Sequence, residues 1–89
     1  MHKVIINFSG RVQGVGLRWY ISRCAKEHNI KGAAQNLPDA RVQVIGYGEK
    51  NQLIKFVKQC TRGSRFSRID HVMSVWGEAD HAPDYFIIL

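Results

Sequence analysis

A glycine-rich segment between two arginines is the part of this chain best suited to chemistry. It follows the apolar run Val-Ile-Ile-Asn-Phe, and nine positions hold Gly10, Arg11, Gly14, Gly16 and Arg18. Glycine adopts positive φ without strain and lets successive backbone N–H groups approach a ligand. A helix N-terminus adds positive potential, and an arginine in the first helical turn can bind a phosphate through two nitrogens. The segment therefore predicts a phosphate-binding loop before a helix.

The spacing alone supports a tight structural turn equally well. The dinucleotide fingerprint is excluded, because the glycines are spaced differently and no acidic residue follows about 20 positions later. A P-loop is also excluded, because no Gly-Lys-Ser/Thr sequence closes the segment. The choice between a phosphate site and a turn therefore depends on the rest of the chain.

Size and composition predict one domain over residues 1–89. The chain is 45% hydrophobic and 22% charged, and 13 Lys and Arg against 7 Asp and Glu give a net charge of +6. This excess suits a phosphorylated metabolite, nucleic acid or an acidic surface, although an inert basic surface is as common. No apolar stretch reaches the length of a membrane span, and no secretory signal is recognisable. We expect a cytoplasmic protein.

The cysteines and histidines do not predict a metal site. Cys24 and Cys60 are far apart in the sequence and form no CxxC pair, and the four histidines have no ligand spacing. We expect reduced thiols, no metal and no cofactor.

Hydrophobic periodicity predicts five strands and two helices. The predicted order is strand Val4–Ser9, helix Leu17–His28, strands Lys31–Asn36 and Arg41–Tyr47, a helix around Leu53–Cys60 ended by Gly63, strand Ser67–Trp76, and a short edge strand Tyr85–Leu89. This order is typical of the α+β, ferredoxin-like split βαβ sandwich, with two helices on one face of an antiparallel sheet.

Two segments resemble the motifs of acylphosphatases. The glycine-rich segment resembles apolar-x-Gly-x-Val-Gln-Gly-Val-x-(Phe/Met)-Arg, and only Leu17 departs from it, by a swap of similar volume. The stretch from Gly32 resembles Gly-(aromatic)-x-x-Asn-x-x-x-Gly-x-Val, with Ala33 in place of the aromatic and Ala40 in place of the turn glycine. If that turn needs positive φ, Ala40 adds strain of about 1 kcal/mol.

The resemblance implies hydrolysis of acyl phosphates to a carboxylate and inorganic phosphate, without metal or cofactor. It implies that Arg18 binds the phosphoryl group and that Asn36 holds the attacking water. It also implies phosphate-binding backbone N–H groups along the loop, at Val12, Gln13, Gly14, Val15, Gly16 and Leu17. Acyl phosphates are activated anhydrides, so positioning and charge neutralisation suffice for the reaction. We expect a small acyl phosphate as substrate, inorganic phosphate as an inhibiting product, and a monomer.

Other interpretations of these residues remain open from the sequence. The runner-up is a non-catalytic phosphate- or RNA-binding module on the same fold, although Tyr47 is the only aromatic residue in the third predicted strand. Asn36 could be a turn residue that bonds its own backbone. Gln13 is better suited to bracing the loop than to binding substrate. Trp19, Tyr20 and Trp76 are expected to pack or lie partly exposed rather than to form a stacking platform.

Overall fold

The computed structural model describes all of residues 1–89 and contains two helices over a five-stranded sheet. The elements in chain order are β1 His2–Arg11, α1 Leu17–Glu27, β2 Lys31–Asn36, β3 Val42–Gly48, α2 Lys50–Cys60, β4 Arg68–Glu78 and β5 Phe86–Ile88. The strands lie in the order β4-β1-β3-β2-β5. The predicted order of elements and the ferredoxin-like α+β class are confirmed. Neither helix is long and apolar enough to cross a membrane.

The sheet is mixed, so the prediction of a fully antiparallel sheet is wrong at one edge. β1 pairs antiparallel with β3 and β4, and β2 pairs antiparallel with β3, but β5 pairs parallel with β2. The reason is the connection from Ala79 to Tyr85, which stays at the end of the sheet where β4 finishes. Because β2 starts at that same end, β5 has to run in the direction of β2.

The core lies between one face of the sheet and the two helices. Alternate residues of β1 and β3 are fully buried, and so is one stripe of each helix. These residues are Val4, Ile6, Phe8, Val42 and Val44 of the sheet, Leu17, Ile21, Cys24 and Ala25 of α1, and Leu53, Phe56 and Cys60 of α2. The predicted helical faces therefore pack as expected, with α1 over β2 and β5 and α2 over β1 and β3.

β4 forms where the sequence predicts it, but its alternating pattern does not bury a face. Met73 and Val75 are 68% and 66% exposed, and Trp76 is 42% exposed. β4 is one of the two edge strands, and the helices pack over the other strands of the sheet. Alternating apolar residues thus predict a strand correctly, but they do not predict whether a helix will pack over the apolar face of that strand.

Ala40 occupies the turn between β2 and β3 with a φ of 74°, in the left-handed region that disfavours a side chain. We expect Ala40→Gly to raise the free energy of unfolding by about 1 kcal/mol, because glycine removes the clash of Cβ with the backbone. That gain corresponds to a rise of about 4–8 °C in melting temperature for a domain of this size. Ala33→Gly, in the extended backbone of β2, is the matched control and should lower the stability. A lower urea midpoint for Ala40→Gly than for the parent would contradict this account.

Candidate active site

The loop between β1 and α1 follows the path that its glycines permit. Gly14 and Gly16 have φ of 71° and 75°, and a Cβ on either would meet no atom within 4 Å. Glycine is therefore needed at these two positions for its positive φ, and not because a side chain would clash with neighbouring atoms. Gly16 is also the N-cap of α1, in the left-handed conformation.

The backbone N–H groups of this loop have no partners in the chain. Those of residues 12–16 donate no hydrogen bond to backbone or side chain, and the first bond of α1 runs from Tyr20 N–H to Gly16 O at 3.1 Å. The N-cap supplies no side-chain acceptor, and the first turn carries no acidic residue. Helices leave their first N–H groups unsatisfied and carry partial positive charge there. The loop and helix start together present an array of donors that suits an anion.

Two side chains hold the loop in this shape. Gln13 donates from Nε2 to the carbonyl oxygens of Leu37 and Arg41 at 2.8 and 2.9 Å, which is the brace expected from the sequence. Ser64 donates from Oγ to Val15 O at 2.9 Å. The contribution of Ser64 was missed by the sequence reasoning, because it lies 49 positions after Val15 and no motif connects them.

Arg18 lies in the first turn of α1 and is oriented by the last strand. Its Nη1 donates to the main-chain oxygen of Leu89 at 2.6 Å, and Leu89 N–H donates to Ala34 O at 2.9 Å. This is the only hydrogen bond of the guanidinium, so its other donors remain available. No local pattern in the sequence could have predicted the acceptor, which is 71 positions away.

Asn36 is the last residue of β2 and is exposed. Its side-chain amide makes no hydrogen bond within the chain, so it does not bond its own turn. Ala34, which binds Leu89, precedes it by two positions, and Leu37, which accepts from Gln13, follows it. The bonds of Arg18 and Gln13 therefore tie both the helix and the loop to the end of β2 that carries Asn36.

Cys24 and Cys60 lie in the core between the helices as free thiols. Burial raises the pKa of the Cys60 thiol. A hydrogen bond with Cys60 lowers the pKa of Cys24. Cys60 therefore stays protonated at neutral pH. No three His, Cys, Asp or Glu side chains are grouped so that they could hold a metal ion.

Comparison with known proteins identifies the family. The acylphosphatase family model matches residues 4–88. An acylphosphatase of Thermus thermophilus is 40% identical over 78 residues, which cover 88% of this chain and 89% of that protein. One of Mycolicibacterium vanbaalenii is 42% identical over 69 residues, covering 78% of this chain and 74% of that protein. The crystal structure of the Bacillus subtilis acylphosphatase matches with a TM-score of 0.96 at 30% identity, covering 100% of this chain and 99% of that chain.

The fold and the loop together place the chain in a class of small ferredoxin-like domains that present an anion-binding loop at the start of the first helix. Within that class, the chain belongs to the acylphosphatase family. It is a hydrolase that converts acyl phosphates to a carboxylate and inorganic phosphate.

The brace at Gln13 can be tested separately from the loop itself. Gln13→Ala removes two hydrogen bonds and leaves two part-buried carbonyl oxygens without a donor, so we expect a loss of about 1–3 kcal/mol in unfolding free energy. Turnover should fall as well, because the loop N–H groups lose their fixed direction. Gln35→Ala is the control, since Gln35 bonds Gln43 on the sheet and does not touch the loop. If both variants keep full activity, the brace has no role in shaping the site.

Proposed function

We propose that the loop N–H groups and Arg18 hold the phosphoryl group of an acyl phosphate while Asn36 orients the attacking water. The observation that carries this proposal is the unbroken run of unpartnered N–H groups at residues 12–16, which meets the positive end of α1 next to Arg18. Preorganised donors of this kind stabilise charge on the transferred oxygens, which is the main demand of phosphoryl transfer.

The proposed chemistry needs no nucleophilic side chain. Water attacks phosphorus, the bond from phosphorus to the bridging oxygen breaks, and the carboxylate leaves with the bonding electrons. The proton of the water passes to a phosphoryl oxygen of the substrate. The protein contributes charge neutralisation and alignment, and these alone are effective when the leaving group is a weakly basic carboxylate.

Asn36 is suited to holding the water because its amide carries both an acceptor and two donors. A water at this position could donate to the side-chain oxygen and still present a lone pair to phosphorus. The absence of any hydrogen bond within the chain leaves the amide free for this role, and the position of Asn36 beside the residues that anchor Arg18 and Gln13 supports it.

The remaining parts of the proposal concern the setting of the reaction. We propose one acylphosphatase-like domain over residues 1–89 that works as a monomer, because the loop, Arg18 and Asn36 all come from one chain. We propose that inorganic phosphate inhibits as a product, because it would occupy the same donors. Two free thiols in the core favour the cytoplasm, and no cofactor is proposed.

RNA binding on the open face of the sheet is not favoured. The expected aromatic, Tyr47, has the ammonium group of Lys3 over its ring at 5.9 Å from the ring centre. A base would have to displace this cation before it could stack. The alternative module therefore has no free stacking surface on the central strands.

Replacement of Arg18 tests the phosphate site. Arg18→Gln should remove a charge-assisted interaction of about 1.5–3 kcal/mol, and inhibition by phosphate should weaken by at least tenfold. In the parent, phosphate at ten times its Kd should stabilise the fold by about 1.4 kcal/mol, which a melting curve detects. Arg11→Gln, exposed at the end of β1, is the charge-matched control. An equal phosphate-induced shift in the parent and in Arg18→Gln would exclude the proposed role.

Replacement of Asn36 separates catalysis from binding. Asn36→Ala should leave the loop and Arg18 in place, so phosphate should inhibit as before. Turnover should fall at least about 100-fold, the scale for one preorganised catalytic group. Steady-state kinetics with benzoyl phosphate, together with the phosphate inhibition constant, measure both effects. If Asn36→Ala keeps the turnover of the parent, Asn36 does not orient the attacking water.

A further inference from the structure

A groove of about 350 Å³ lies beside the loop, on the side of α1 that faces the segment between α2 and β4. Val15 and Gly16 form its edge, Trp19 and Phe66 contribute aromatic rings, and Arg23 and Arg65 contribute charge. Nothing in the assignment of the phosphate site uses these four side chains.

The two aromatic rings of the groove are largely exposed. Trp19 is 72% exposed and Phe66 is 67% exposed, whereas the buried aromatics of the chain, Phe8 and Phe56, are at 0%. Both rings come from segments that are held in place. Trp19 is in the first turn of α1, and the segment before Phe66 is tied to the loop by the bond from Ser64 to Val15. The guanidinium of Arg65 lies 5.4 Å from the centre of the Phe66 ring. Apolar surface kept exposed on a fixed scaffold indicates a binding surface.

The groove is continuous with the proposed phosphate site. The loop residues Val15 and Gly16 belong to both. In an acyl phosphate, one bridging oxygen joins phosphorus to the acyl carbon. When the bridging oxygen lies on the side of Val15 and Gly16, the acyl group therefore begins at the edge of the groove.

The charges of the groove fit the same ligand. Arg23 and Arg65 line it, neither forms an ion pair, and no carboxylate lines it. The rings offer flat apolar surface, on which an aromatic group packs well. Arg65 lies over the Phe66 ring as Lys3 lies over Tyr47, but Tyr47 is half-buried whereas Phe66 is 67% exposed and keeps further ring surface free. A positively charged groove with two rings suits an anionic molecule that carries an aromatic body.

We propose that this groove binds the acyl group of the substrate, and that Trp19 and Phe66 make the enzyme prefer acyl phosphates with an aromatic or other flat apolar acyl group. The inference rests on the proposed function, because the phosphate site determines where the acyl group begins. A small acyl group such as acetyl would not reach the rings and would gain nothing from them.

The experiment compares kcat/KM for benzoyl phosphate and acetyl phosphate. Trp19→Ala and Phe66→Ala should each lower the value for benzoyl phosphate about tenfold, the lower range for the loss of an apolar contact in a specificity pocket. The value for acetyl phosphate should stay within twofold of the parent. Trp76→Ala is the matched control, since Trp76 is an exposed tryptophan on β4 outside the groove. Trp76→Ala should leave kcat/KM unchanged for both substrates.

A binding measurement makes the result independent of hydrolysis. Phenacylphosphonate and acetonylphosphonate replace the bridging oxygen of the two substrates with CH2 and cannot be hydrolysed in the same way. In Trp76→Phe, Trp19 is the only tryptophan. We expect phenacylphosphonate to shift the fluorescence of Trp19 and to bind with a lower Kd than acetonylphosphonate. The two phosphonates should bind equally when Phe66→Ala is added to this variant.

The outcomes separate the two proposals. Parental values of kcat/KM for both substrates in both alanine variants would overturn the proposal that the groove binds the acyl group. An equal loss for both substrates would overturn it as well, because such a loss indicates an effect through the loop. Equal binding of the two phosphonates would overturn it as well. If the parent hydrolyses neither substrate but phenacylphosphonate still binds more tightly than acetonylphosphonate beside Trp19, the proposed catalytic function is wrong. The preference of the groove for an aromatic group is then still supported.

Discussion

The site depends on backbone N–H groups that are kept free of partners within the chain. A loop with this many unsatisfied donors would ordinarily collapse onto nearby carbonyl oxygens or be loose. Here Gln13 and Ser64 hold it from two sides, and each bonds a carbonyl oxygen rather than an N–H group. The donors at residues 12–16 thus remain without a partner while the rest of the loop is fixed, and the packing of α1 against the sheet keeps its positive end next to them.

This arrangement explains why so few side chains are needed for chemistry. A carboxyl-phosphate bond is already activated, so the rate gain has to come from alignment and from charge neutralisation. Backbone donors and one guanidinium provide charge neutralisation, and a neutral amide at Asn36 orients water without being a base.

Local features of the chain could be predicted from the sequence, and long-range ones could not. The motifs around Gly14 and Asn36 and the apolar periods of the strands and helices depend on neighbouring positions, so each element was expected close to where it lies. The direction of β5, the bond from Ser64 to Val15 and the exposure of Met73 and Val75 on β4 depend on which distant segments meet. Periodicity contains no information about that, because it reports which face of an element is apolar and not what covers it.

The bond between Arg18 and Leu89 joins residues 71 positions apart. During synthesis, at about 5–20 residues per second, the glycine-rich loop therefore leaves the ribosome seconds before the acceptor that orients its arginine. Until β5 adds to the edge of β2, the guanidinium has no such anchor. A nascent chain can form α1 early, because a helix needs only local contacts. The hydrogen bond to Leu89, which orients the Arg18 guanidinium, forms much later.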